Sequence, residues 1–196
     1  MLATSIKALD RPTGKSPERG AVRRLPRVSL PFLGPTDPRD SRAEVFLGYL
    51  DYFRSVVIVK IQGLPEGELR SSRLPSGWTP LEMLKHLTYV ELRWLVWGFE
   101  GEPVAQPWGD AQGGRWYVSS TETLDGLVAA FNAQAERTRS VVQAHQLTDT
   151  GRPGARWEGA PPPTLERVLF HLLQEYARHV GHLDVVREQV DGQVGE

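Results

Sequence analysis

The sequence predicts an all-α protein built as a four-helix bundle. Three observations carry this: four long segments place apolar residues at three-to-four spacing, capping or breaking residues bound each of them, and no pair of alternating apolar and polar runs argues for strands. With 196 residues and 40% apolar content, the chain can bury one sizeable core.

The first helix is expected over residues 41 to 62, where Val45, Tyr49, Tyr52, Phe53, Val56 and Val57 lead a stripe that runs through Ile61 until Gly63-Leu-Pro stops it. Glu66 to Leu69 adds one turn. The second helix opens at Pro80: Thr79 can accept the Glu82 amide, Pro80 sits where its missing N–H costs nothing, and Glu82 reaches back. It runs to about Phe99. A long loop, Gly101 to Trp116, follows without periodicity, and its Trp108 and Trp116 favour a packed lid. The third helix is expected from near Ser119 to Thr121 until around Gln146, carrying Leu124, Leu127, Phe131, Thr138, Val141 and Val142 on one stripe. After Pro161-Pro-Pro, Thr164 is expected to cap a fourth helix, Leu165 to Val190, closed by Gly192.

Before this bundle, at 29–196, lies a basic Pro-rich tail at 1–28. Prolines at 12, 17 and 26 break any helix there, so the tail reads as disordered, with Ser29-Leu-Pro-Phe-Leu as a strap. The net charge of −1 excludes the basic surplus that nucleic acid or a membrane surface would want. No cysteine is present, so any sulfur chemistry must borrow its thiol. The longest strongly apolar stretch, Val56 to Ile61, is far short of the roughly 20 residues that span a bilayer, and no secretory h-region follows the charged start. A cytoplasmic protein is expected.

The last helix carries His171, Glu175, Arg178, His179, His182 and Asp184 among Leu169, Leu172, Val180, Leu183 and Val186. Four residues turn a helix by about 400°, so 171, 175 and 179, with 182 beside them, share one face. A polar row beside an apolar stripe must be hydrogen-bonded, ion-paired or metal-bound. Glu175 and His179, one turn apart, can close on one ion, and His86 is the histidine that the second helix offers as a third ligand. Two imidazoles and a carboxylate suit Zn²⁺, Fe²⁺, Ni²⁺ or Mn²⁺ and leave positions open for water or substrate. The same row equally suits a structural hydrogen-bond network, and Trp94 and Trp97 suit core as well as pocket wall. His145 is expected to meet the end of the third helix.

Two segments carry a family resemblance: Trp78-Thr-Pro-Leu-Glu through His86 to Trp94, with Gly98-Phe-Glu-Gly-Glu-Pro after it, and Thr164 to Glu188 with Glu175-Tyr-Ala-Arg-His179-Val-Gly-His182. Together they resemble the second and last helices of the DinB superfamily (DinB/YfiT-like metalloenzymes), in an actinobacterial branch similar to mycothiol-dependent S-transferases and maleylpyruvate isomerase. The resemblance covers about residues 29 to 195. It implies a four-helix bundle, often dimeric, with one metal ligand from the second helix and two from the last. The wider family often has His-x-x-x-His on the last helix, whereas here Glu175 stands first, as in the mycothiol-dependent isomerases. By that match His86, Glu175 and His179 are the ligands of a divalent metal, Zn²⁺ first, with His171 and His182 as alternative or supporting residues one turn away.

The resemblance also implies transfer of a low-molecular-weight thiol such as mycothiol onto a small electrophile. His182 and Arg178 are then the catalytic candidates, Arg178 either binding a carboxylate or pairing with nearby acids. Trp94, Trp97, Trp108 and Trp116 are the candidate walls of the cosubstrate and electrophile pocket. Two other functions remain: a metal-dependent hydrolase or isomerase using activated water, with His182 or Glu91 as base, and a non-catalytic metal-binding stress protein.

Overall fold

In a computed structural model of the chain, Leu30 and residues 34–195 are described. The tail expected at 1–28 lies outside them, and of the strap only Leu30 falls within, half-buried against the core. The helices are α1 (Arg42–Gln62), the short α2 (Glu66–Leu69), α3 (Pro80–Glu91) with a π-helical continuation (Leu92–Phe99), α4 (Leu124–Ala144) and α5 (Leu165–Asp191). The fold is all-α: α1 packs mainly on α5 and α3 on α4, while α3 with α5 and α1 with α4 close the bundle. Leu50, Ile61, Leu84, Leu87, Leu172 and Leu183 are fully buried between them, each stabilising the fold by roughly 1.5–3 kcal/mol.

Local chemistry explains most helix starts. Ser41 Oγ accepts the Glu44 amide at 3.2 Å, and at α3 the expected capping box is complete, with Glu82 N–H donating to Thr79 Oγ1 and Thr79 N–H to Glu82 Oε2. The third long helix starts later than expected, at Leu124 under Thr123. Glu122 is drawn away to accept the Ser119 amide at 2.7 Å and the Lys85 ammonium at 3.0 Å, which turns 119–122 out of the helical path. Thr164 makes no side-chain capping bond. It pairs as an isolated bridge with Thr150, and Leu165 N–H donates instead to Asp149 O at 2.9 Å. Gly192 closes α5 in the left-handed conformation, as expected.

Two further features depart from the sequence reading. The loop after α3 contains a small antiparallel pair, β1 (Ala111–Gln112) with β2 (Arg115–Trp116), where no strand pair was expected. Gly113 and Gly114, both at positive φ, supply the two-residue turn that such a hairpin needs. The last two turns of the second long helix are wound as a π-helix, which shifts the faces on which Arg93, Trp94 and Trp97 emerge.

The bundle interior holds one charged network with a member from each long helix. Glu91 of α3, 1% exposed, accepts from Arg54 of α1 through Nε at 2.9 Å and Nη2 at 2.7 Å, and from Thr138 of α4 and Tyr176 of α5. Burial by itself would lower the Arg54 pKa, but the charge and hydrogen bonds of Glu91, with Tyr176 and Asp51 behind them, raise it above its usual value. Burial together with the Glu91 charge pushes the Tyr176 phenol well up, so it stays protonated and donates.

Candidate metal centre

Along one face of α5, His171, Glu175 and His179 succeed one another at four-residue spacing, so each turn adds one side chain to the same column. Glu175 uses both oxygens: Oε2 lies 3.2 Å from His179 Nε2 and Oε1 lies 3.4 Å from His171 Nε2. The hydrogen bond from His179 holds the Glu175 carboxyl below its usual range against the burial that would raise it, with the charges of His179, His171 and His86 helping. Across the bundle, α3 presents His86, whose ring lies edge-on to His179 at 5.2 Å. One donor atom from each of His86, Glu175 and His179 lies within 4.8 Å of the others.

His86 is aimed by residues that the sequence did not single out. Its Nδ1 lies 2.9 Å from Asp110 Oδ2, which leaves Nε2 for the α5 side. Asp110, 2% exposed, comes from the long loop and is held in turn by Arg93 of the π-helical segment, through Nη1 at 2.6 Å and Nη2 at 3.2 Å. Arg93 Nη1 also donates to Pro107 O at 3.1 Å, and the Trp108 ring covers its guanidinium at 4.5 Å. Burial would raise the Asp110 pKa, but hydrogen bonds from His86 and Arg93 and the Arg93 charge hold it below the usual carboxylate range. Burial lowers the His86 pKa, with His179 and Arg93 acting the same way and Asp110 opposing, so the imidazole is neutral and able to ligate at neutral pH. The long loop and the candidate ligand thus share one latch. A lone arginine within Leu92-Arg-Trp-Leu-Val-Trp was the available signal, because a charge in an apolar run implies a buried partner. Asp110 had no comparable signal.

Asp110→Asn is expected to weaken divalent-metal affinity by roughly tenfold to a hundredfold, the effect typical of losing a carboxylate behind a ligating histidine. Titration against a metal-indicator dye measures this. Unchanged affinity would leave Asp110 as a loop latch alone.

The other candidates separate. The hairpin lays Trp116 flat on His86, with ring centroids 4.0 Å apart and planes at 20°, and its edge reaches His179. Trp94 lies against His171 at 4.2 Å, on the far side of Glu175. Trp97 faces Arg156 at 5.4 Å, and Trp108, 56% exposed, covers Arg93. His182 lies 5.7 Å from His179 between ring centroids and 6.0 Å from Trp78. Its Nδ1 is buried without a partner, and burial lowers its pKa, with the charges of His179 and Arg178 adding. Arg178 itself is exposed. Glu91, offered above as a base, is committed to Arg54, Tyr176 and Thr138 in the core and cannot serve. His145 ends α4 as expected but is engaged by Glu100 at 2.8 Å.

The donor set fits a divalent cation. Among the described residues Glu175 meets two imidazoles and no ammonium or guanidinium, so its charge has no full counter-charge unless a cation is held there. In comparison with known protein families, residues 45–192, most of the chain, match the family model described as mycothiol-S-transferase. No curated protein matches the chain.

Proposed function

The chain belongs to the mycothiol-S-transferase family, within the DinB-like superfamily, and from that premise we propose that it transfers mycothiol or a related low-molecular-weight thiol to a small electrophile, with a divalent metal held by His86, Glu175 and His179. The observation that carries this reading is the convergence of those three donors, with His86 oriented by Asp110, within the matched segment. Zn²⁺ suits two imidazoles and one carboxylate best, with Ni²⁺, Fe²⁺ and Mn²⁺ as alternatives. When bound, such an ion supplies Lewis acidity that favours thiolate over thiol at neutral pH.

The chain's own residues do the remaining work. With no cysteine in the protein, the nucleophile is the cosubstrate sulfur. His182, neutral and beside His179, takes the thiol proton. The sulfur then forms its bond to the electrophilic carbon, and the leaving group departs with its electron pair. Trp116 and Trp78 keep bulk water off this side of the triad. The same reading places the reaction in the cytoplasm, where small thiols are kept reduced, and takes the protein as a homodimer like many DinB-like bundles. No helix among the described residues is long and apolar enough to cross a membrane.

The test supplies mycothiol and a fluorogenic haloalkyl-type electrophile to metal-loaded and to chelated protein and follows thiol loss with product. Metal-dependent loss at least about tenfold above background is expected, an effect of about 1.4 kcal/mol or more on the barrier. Electrophile consumption without thiol loss would establish the water-activating hydrolase or isomerase reading instead. No turnover, with metal bound, would leave a non-catalytic metal-binding protein.

A further inference from the structure

Among the described residues the buried arginines are paired with carboxylates: Arg54 with Glu91 and Asp51, Arg93 with Asp110, and Arg187 with Asp191. Arg156, half-buried in the 3-10 turn Ala155–Trp157, is not. Among the described residues it has no acidic partner, and its Nε is buried without an acceptor. Three indoles surround the guanidinium, Trp94 at 4.3 Å, Trp97 at 5.4 Å and Trp157 at 5.6 Å from ring centroid to Cζ. A guanidinium partly stripped of water and given no counter-charge is unfavourable for the fold alone, because aromatic faces return only part of what hydration supplied.

The turn that presents it is firmly placed. Trp157 Nε1–H donates to Gly98 O at 3.0 Å, Arg152 N–H to Phe99 O at 2.7 Å and Ala160 N–H to Trp157 O at 2.8 Å, and Glu158 holds a left-handed φ of 49°. Gly98 permits the approach: a Cβ there would lie 3.1 Å from the Trp157 ring and 3.2 Å from Arg156 Cδ. The position matters for the centre described above. The Trp94 ring that carries Arg156 on one side touches His171, and His171 lies 3.4 Å from Glu175.

We propose that Arg156, bracketed by Trp94, Trp97 and Trp157, is a binding subsite for a planar carboxylate, the anionic end of the small electrophile. The guanidinium offers the fork of donors that a carboxylate takes in two parallel hydrogen bonds, and the indoles offer flat apolar walls for the unsaturated or aromatic group attached to it. An electrophile anchored there extends past Trp94 and His171 toward the candidate triad. Its assignment as the electrophile rests on the transferase reading, whereas the anion site itself does not.

The experiment therefore uses metal-free, thiol-free full-length protein and reads tryptophan fluorescence on titration with benzoate, with benzamide as the uncharged isostere. Saturable benzoate binding is expected. It should weaken roughly tenfold or more in Arg156→Gln, less in Arg156→Lys, and not in Arg152→Gln, with benzamide at least about tenfold weaker than benzoate. Thermal melts of each variant run alongside. No benzoate binding by the wild type, equal binding of benzamide, or full retention in Arg156→Gln overturns the proposal, and a lower melting temperature without any ligand effect assigns Arg156 to packing. Benzoate binding together with absent thiol transfer keeps the anion site and removes the transferase reading. Transfer without benzoate binding does the reverse.

Discussion

Glu91→Ala is expected to destabilise the bundle by about 3–5 kcal/mol, the range for removing one partner of a buried charge pair. The change leaves Arg54, 5% exposed, with only the half-open Asp51 at 2.9 Å, and it strips the acceptor from Tyr176 and Thr138 at once. For a chain of this size that corresponds to a fall in melting temperature of roughly 10 °C or more. Glu91→Gln keeps the shape and should cost less. The double change Arg54→Met with Glu91→Leu should recover much of the loss, because the desolvation of both charges vanishes together. By contrast Glu66→Ala, which breaks an exposed pair with Arg70, should change stability by less than about 1 kcal/mol. Thermal and urea melts of these variants check the set. A Glu91→Ala protein as stable as wild type would mean the network is not what ties the four helices together.

The second large effect is expected at the triad. Alanine at His86, Glu175 or His179 should each abolish stoichiometric divalent-metal binding, since the two remaining donors come from too few directions to hold an ion against water. His182→Ala should lower affinity far less, and His145→Ala, engaged elsewhere with Glu100, not at all. Because the ligands come from α3 and α5, metal should also stabilise the fold by mass action, about 2.7 kcal/mol at a hundredfold excess over Kd. Glu175→His should retain binding, as the wider family's histidine at that place implies, with altered selectivity. Metal analysis and metal-dependent melts measure both. Full metal retention by His86→Ala would break the link between α3 and α5 and return the polar row of α5 to a hydrogen-bond network.

The row on α5 was legible because helical periodicity is a local property. His171, Glu175 and His179 fall on one face whatever packs against them, and the resemblance of two short segments was enough to add His86 from another helix. The capping box at Thr79 and Glu82 and the left-handed stop at Gly192 were legible for the same reason, since each needs only residues within one turn. What the chain does between the helices was less so. The hairpin at Gly113-Gly114 carried a turn signal, but its strands are two residues long, too short for alternation to register.

By itself, then, the sequence determined the class of fold, the helices that carry the candidate donors and the chemistry those donors offer, all of which follow from residue type and spacing of a few positions along the chain, while the thiol reading came from the resemblance. Only the tertiary structure decided which charges meet. Asp110 behind His86, Arg93 latching the long loop, Glu91 withdrawn into the core with Arg54, and Arg156 beside Trp94 and Trp97 each depend on residues many positions apart in the chain. The physical reason is that burial sets the worth of a charge. The same arginine is a solvated surface group or an anion site according to what desolvates it and what faces it, and both are fixed by packing between elements rather than by anything within one of them.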